Sequence, residues 1–179
     1  RLQKHGFRAS AWVDDMTDFK VPAKYCAAFN TINSFRHLEQ HAQAHNHLTC
    51  MARAIRKGGV YILGLHLCPK FGEAVENESW IARRGHLSVK TSMWLVERNL
   101  KKRYERFHMR YDVWTPTNHL VLDDEFNFRT YTKRQFETEL LGGIPEFEIK
   151  ATYDFGYNLE RPIEVDQNSE DVVYILKRV

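Results

Sequence analysis

The segment that most constrains this chain is VYILGLHL, residues 60–67, which has almost no polar face. A strand with one side in water alternates apolar and polar residues. A strand without a polar face reads as buried on both sides, as in a parallel sheet between helix layers. The run is far shorter than the roughly 20 residues needed to cross a bilayer, so no membrane span is expected. Upstream, Leu38, Ala42, Leu48, Met51, Ala52 and Ile55 recur at spacings that stripe one helical face. Ser34 reads as the N-cap of that helix. Arg53, Arg56 and Lys57 suit the negative end of its dipole, and Gly58-Gly59 reads as its stop. With a strand over residues 25–29, the order is strand, helix, strand with short joints, the logic of an α/β sheet. Right-handed crossovers then place a ligand crevice beyond the carboxyl ends of the strands. Residues 14–19, 30–37 and 66–69 are therefore the informative ones.

The flanks obey other patterns. Residues 1–7 read as a helix end stopped by Gly6, and residues 9–13 as a short strand followed by an acidic loop. Beyond Pro69, Leu87, Val89, Met93 and Leu95 alternate, and so do Phe107, Met109, Tyr111 and Val113. Period two on both sides of a turn predicts an antiparallel hairpin, with a third strand over residues 119–124. This reads as a β insertion over residues 85–128 within a single domain of residues 1–179. A helix with a Thr132-x-x-Gln135 capping box and Gly142 at its end follows. Two strands, residues 147–153 and 172–177, close the chain.

Composition excludes several classes. Hydrophobic residues at 43% and charged residues at 27% are globular proportions, which rules out a disordered or collagen-like chain. A net charge of +3 is too mild to imply a nucleic-acid partner. Three scattered cysteines without a CxxC argue against a disulfide scaffold and fit a reducing cytoplasm.

The stretches AWVDDMTDF, KYCAAFNTINSFRHL and ARAIRKGGVYILGLHL, then FRTYTKRQFETELL, the YDF near residue 153 and the closing EDVVYILKR, occur in this order. Together the series resembles the class I S-adenosylmethionine-dependent methyltransferases over nearly the whole chain. The resemblance implies a Rossmann-like α/β sheet with an antiparallel β insertion after the fifth strand. It also implies S-adenosylmethionine as cofactor and a small-molecule methyl acceptor. One departure stands out. The nine glycines contain no GxGxxG, so the family's glycine-rich loop and the acidic residue ending its second strand are not found. The expectation is an amino-terminally truncated sheet that binds S-adenosylmethionine weakly or not at all. The open edges of such a sheet predict a homo-oligomer, or a rearrangement of residues 1–22.

The resemblance assigns Asp15 and Met16 to adenine, with the carboxylate accepting from the exocyclic amine. Without it, Asp14, Asp15 and Asp18 are ordinary loop and cap residues. Phe29, Asn30 and Asn33 fall where the family faces the cofactor's methionine end; Asn33 and Ser34 also read as helix caps. Tyr153, Asp154 and Phe155 are the acceptor-side candidates. His66 and Asp154 are candidate general bases by location. His37, His41 and His45 share a helical face at i, i+4 and i+8, yet no HExxH occurs, so the expectation is a solvated flank and no metal. Arg98, Lys101, Lys102, Arg103, Arg106 and Arg110 read either as a nucleic-acid patch or as a solvated hairpin tip. Alternation favours the tip, because it sends the aromatics to the opposite face. Two other functions stay open: a non-catalytic interaction module, and a nucleic-acid methyltransferase or binder.

Overall fold

The computed structural model describes residues 2–69 and 77–179. Two four-stranded sheets make up the frame. The first contains β1 (Tyr25–Asn30) and β2 (Ile55–His66), joined by helix α1 (His41–Ala54). The second is the meander β3 (Asn77–Arg84), β4 (Leu87–Asn99), β5 (Tyr104–Trp114) and β6 (His119–Arg129). The chain then returns to the first sheet through a π-wound helix α2 (Gln135–Leu140), β7 (Phe147–Tyr153) and β8 (Asp171–Arg178).

The first sheet runs in the order β1-β2-β8-β7. β1 and β2 are parallel, with Phe29 opposite Ile62, and β8 is antiparallel to both β2 and β7. Tyr61, Leu63 and Leu65 are fully buried on the face that α1 covers, against Leu48, Phe136 and Leu140. Val60 and Ile62, on the opposite face, are only half-buried. The expectation of burial on both faces is thus corrected. Among the described residues helices cover one side of β2, and its apolar second face is the half-shielded one.

Helix α1 differs at both ends from its expected limits. Asn33 and Ser34 do not cap it. Residues Ser34–His37 form a separate 3-10 turn, and the cap is Gln40, whose backbone N–H donates to Gln43 Oε1 at 2.9 Å. The helix ends at Ala54, ahead of Arg56, Lys57 and the glycines, because Ile55 is already extended at φ −100°, ψ 134°. Gly58 and Gly59 serve the strand instead. Gly58 has φ +77°, where a side chain is strained, and a Cβ on Gly59 would stand 2.6 Å from the Cys26 carbonyl oxygen. The ladder between β1 and β2 shifts register there. Because the 3-10 turn is separate, His37 does not share a helical face with His41 and His45.

Residues 9–13 form no strand, which corrects that expectation; Trp12 and Val13 are exposed and pair with nothing in either sheet. The expected hairpin and third strand are present, extended by β3, whose burial shows no alternation for a reader to detect. The Thr132–Gln135 box is reciprocal: Thr132 N–H donates to Gln135 Oε1 at 3.0 Å, and Gln135 N–H donates to Thr132 Oγ1 at 3.3 Å. Among the described residues no helix is long and apolar enough to cross a membrane.

Candidate functional site

Two hollows flank the carboxyl end of β1. The first is an open cleft of about 490 Å³ between the loop of residues 12–19 and the end of the strand. Asp15, Met16, Phe29 and Asn30 line it, so four of the five expected cofactor residues come together. The second is a more enclosed cavity of about 550 Å³, where the inner face of the meander covers the ends of β1 and β2. Asn33 and His66 belong to this cavity.

The short loop after β1 is the wall between them. Thr31 and Ser34 face the cleft, while Ile32 and Asn33 face the cavity. Ile32 and Asn33 are both left-handed, at φ 63°. A β-branched residue rarely accepts that conformation, and such strain concentrates at functional loops. Two contacts hold the loop. Asn33 Oδ1 accepts the His66 backbone N–H at 3.0 Å. Gly64 lets the loop backbone close in, since a Cβ there would stand 3.2 Å from Thr31 Cα.

The cleft's loop is tied down by a residue the sequence does not single out for this role. His47 is 4% exposed. Its Nδ1 lies 2.9 Å from the Met16 carbonyl and its Nε2 lies 2.9 Å from the Tyr61 hydroxyl. The carbonyl can only accept, so Nδ1 carries the proton and Nε2 accepts from Tyr61. The imidazole therefore positions Met16 on the core. Asp15 closes its own turn: Oδ1 accepts from Thr17 N–H at 2.7 Å and Thr17 Oγ1 at 2.8 Å. Those bonds hold its carboxyl below the usual range. Among the described hydrogen bonds Oδ2 has no partner and remains available to a donor.

Burial pushes the His47 pKa down, so the neutral form is the native one. Below about pH 6.5 the unfolded chain binds a proton that the folded chain resists. Stability from this residue is fully present above that pH and falls as pH drops. His37 and His41 shift the same way through burial, while His108 shifts upward through Asp123 and Glu125. His47→Gln should therefore narrow the difference between denaturation midpoints measured at pH 7.5 and pH 5.5. An unchanged difference would remove His47 from the acid response.

In the cavity, His66 Nδ1 is paired with the Asp171 carboxylate at the start of β8. The Phe155 ring stands edge-on to His66, with centroids 4.8 Å apart. Of the other acceptor-side candidates, Tyr153 lies on β7 opposite Val173. The Asp154 carboxylate accepts the Gly156 N–H at 2.9 Å and closes a turn. None of the three acceptor-side candidates, Tyr153, Asp154 and Phe155, lines the cleft or the cavity. Sequence reasoning missed Asp171, and also Arg36 and Glu105. Glu105 is buried between Arg36 and Arg98, with Arg98 Nε at 2.7 Å. Arg36 Nε also donates to the Arg129 carbonyl at 2.9 Å, which joins the turn after β1 to the end of β6.

The basic cluster is largely neutralised. Arg98 pairs with Glu105, Arg103 with Glu139, Arg106 with Glu97 and Arg110 with Asp123. Phe107 and Tyr111 face the cavity, away from Arg106 and Arg110. Among the described residues no group of three or more His, Cys, Asp and Glu side chains is arranged to hold a metal ion.

Solved structures share this fold. An S-adenosylmethionine-dependent methyltransferase from Clostridium acetobutylicum matches 99% of this chain and 68% of its own, at 15% identity and a TM-score of 0.77. An S-adenosylmethionine-bound amino pentose methyltransferase from Micromonospora echinaspora matches 93% of this chain and 63% of its own, at 14% identity and a TM-score of 0.65. The fold is that of the class I S-adenosylmethionine-dependent methyltransferases. A sugar N-methyltransferase from a Streptoalloteichus species matches 92% of this chain and 60% of its own, at 13% identity and a TM-score of 0.67. The chain spans less than two thirds of the length of the last two. No protein-family model and no curated protein matches the sequence.

Proposed function

We propose that this chain is the acceptor-side part of an S-adenosylmethionine-dependent methyltransferase acting on a small molecule. The observation that carries the reading is the pair of hollows on either side of one strained loop. The cleft suits the donor's adenosyl end. Asp15 Oδ2 would accept from the adenine amine, and Met16 and Phe29 offer apolar surface to the ring. The cavity suits the acceptor. Bound S-adenosylmethionine would supply an activated methyl group on sulfur.

Methyl transfer of this kind needs alignment and a dry site more than a dedicated catalytic triad. A base is needed where the acceptor must lose a proton. His66 supplies one on this reading. Asp171 takes up Nδ1, so Nε2 of the neutral ring is the accepting nitrogen and points its lone pair away from the pair. Asp171 also stabilises the imidazolium once the proton arrives. Pairing of Arg98, Arg103, Arg106 and Arg110 with carboxylates speaks against that cluster as a phosphate-binding patch for nucleic acid.

The test is a titration with S-adenosylhomocysteine to millimolar concentration, because the donor contacts in this chain are few. Asp15→Ala should weaken binding, because it removes the carboxylate that would accept from the adenine amine. Equal affinities would leave Asp15 a loop residue only.

A further inference from the structure

Four of the five buried side-chain polar atoms that lack a hydrogen-bond partner among the described residues belong to one group. They are Arg103 Nε and Nη2, Arg129 Nε and the Tyr131 hydroxyl. Arg129 is 9% exposed and Tyr131 is fully buried. Both guanidiniums lie over the Tyr131 ring, Arg103 at 5.4 Å and Arg129 at 5.7 Å from its centroid. The ring face answers part of their charge, but the N–H donors still call for oxygen lone pairs. A buried donor left unmet is costly, so four such atoms in one place mark a missing acceptor.

The group is also short of negative charge. Among the described residues Arg129 makes no ion pair; its Nη1 donates to the Glu39 carbonyl, just ahead of α1. Arg103 has one carboxylate nearby, Glu139, whose oxygen stands 3.7 Å from Nη1, beyond hydrogen-bond length. Arg134 shares that carboxylate at 3.5 Å. The end of α1 that Arg129 meets is its positive one, where an acidic residue is favoured. Its first turn holds none and begins with His41 instead. Burial lowers the His41 pKa, and the charges of Arg129 and Arg103 lower it further. None of Arg103, Arg129, Tyr131 and His41 lines the cleft or the cavity.

We infer that the first turn of α1 and the end of the meander form an oxyanion site, which takes a tetrahedral dianion of the phosphate or sulfate type between Arg103, Arg129 and Tyr131. Two guanidiniums match its two charges, and its oxygens accept from both arginines and from the Tyr131 hydroxyl at once. The positive end of α1, with His41 on it, adds to the attraction. Glu139 stands at the entrance. Its side chain is 41% exposed and held only by the two long pairs, so it gives way to solvent as the ion arrives. It belongs to α2, and π-wound turns of that kind gather at functional sites. Of the basic residues at the hairpin tip, Arg103 alone takes part.

The test follows the arginine Nε–H and histidine ring C–H resonances of the 179-residue chain. Sodium sulfate is titrated in while sodium chloride holds the ionic strength constant. Sulfate is expected to give saturable shifts at Arg103 and Arg129 and to raise the His41 pKa, and inorganic phosphate is expected to compete with it. Phenyl phosphate separates the sources of the ion: competition by it assigns the site to a phosphorylated small molecule, and competition by inorganic phosphate alone assigns it to the free ion. Arg103→Gln should weaken sulfate about tenfold or more, the effect of losing charge-assisted hydrogen bonds. Glu139→Gln should tighten sulfate several-fold, which a merely structural carboxylate would not do. Unsaturable shifts that chloride or acetate reproduces in the parent chain would overturn the inference and leave these donors to buried water. That comparison needs no variant to fold.

Discussion

Glu105→Gln is expected to destabilise the chain by about 3–5 kcal/mol, the cost of removing one partner from a buried ion pair. Glu105 is 4% exposed and answers two guanidiniums, Arg36 and Arg98, of which Arg36 is 5% exposed. The variant leaves Arg36 charged, dry and without a counter-ion. The loss also reaches the cavity, because Arg36 joins the turn after β1 to β6 through the Arg129 carbonyl and lies over the Phe128 ring at 4.9 Å. Replacing the triad with apolar residues of similar volume should recover much of the stability, since a buried ion pair is worth less than the penalty for halving it. Denaturant midpoints of the parent chain, the single variant and the apolar triple variant check this. A single-variant loss under about 1 kcal/mol would mean that the pair is solvated, as a surface pair is.

On the proposed function, His66→Gln is expected to slow methyl transfer by about 10²–10⁴-fold, the usual contribution of a positioned base. Glutamine keeps a polar side chain beside Asp171 but cannot take the acceptor's proton. Asp171→Asn should lower the rate less, because the imidazole survives while its tautomer and its stabilising charge are lost. The comparison is made at saturating donor. Chemistry is read from a single turnover, so that acceptor release does not hide the step. A rate unchanged in His66→Gln would return His66 to a purely structural role at the end of β2.

The elements legible in the sequence are those with a local period. The stripe of Leu48, Met51 and Ala52 announces α1, and the alternation of Phe107, Met109 and Tyr111 announces β5. The reciprocal Thr132–Gln135 box marks the start of the helical turns before β7. What stayed hidden depends on distant partners. Arg36 and Glu105 meet only after the meander folds over the first sheet, and neither residue carries a local sign of the other. Asp171 looks like a strand-end carboxylate until β8 lies beside β2 and brings it to His66. Gly58-Gly59 is a stop signal in isolation, so the sequence places the helix end too late. Here the β-branched Ile55 turns extended first, and the glycines serve a tight strand approach instead.

The grouping of the candidate residues was legible on one side of the loop only. Asp15, Met16, Phe29 and Asn30 line one cleft, whereas Asn33 faces the cavity. Two consecutive left-handed residues invert the side-chain order there, and periodicity carries no sign of such an inversion. His47 lies off the His37, His41 and His45 spacing, and nothing in the sequence marks it for a role. Its burial between Met16 and Tyr61, which makes it the anchor of the cleft's loop, required the fold.

The central claim is that one cleft takes the adenosyl group while the cavity across the loop takes the acceptor. Crystals of the chain soaked with millimolar S-adenosylhomocysteine test it most directly, through the position of the adenine in the difference density. The account predicts the ring against Met16 and Phe29, with its exocyclic amine at hydrogen-bond distance from Asp15 Oδ2 and the cavity free of it. Adenine density beside Trp80 in the cavity, or no density at either site, would contradict it.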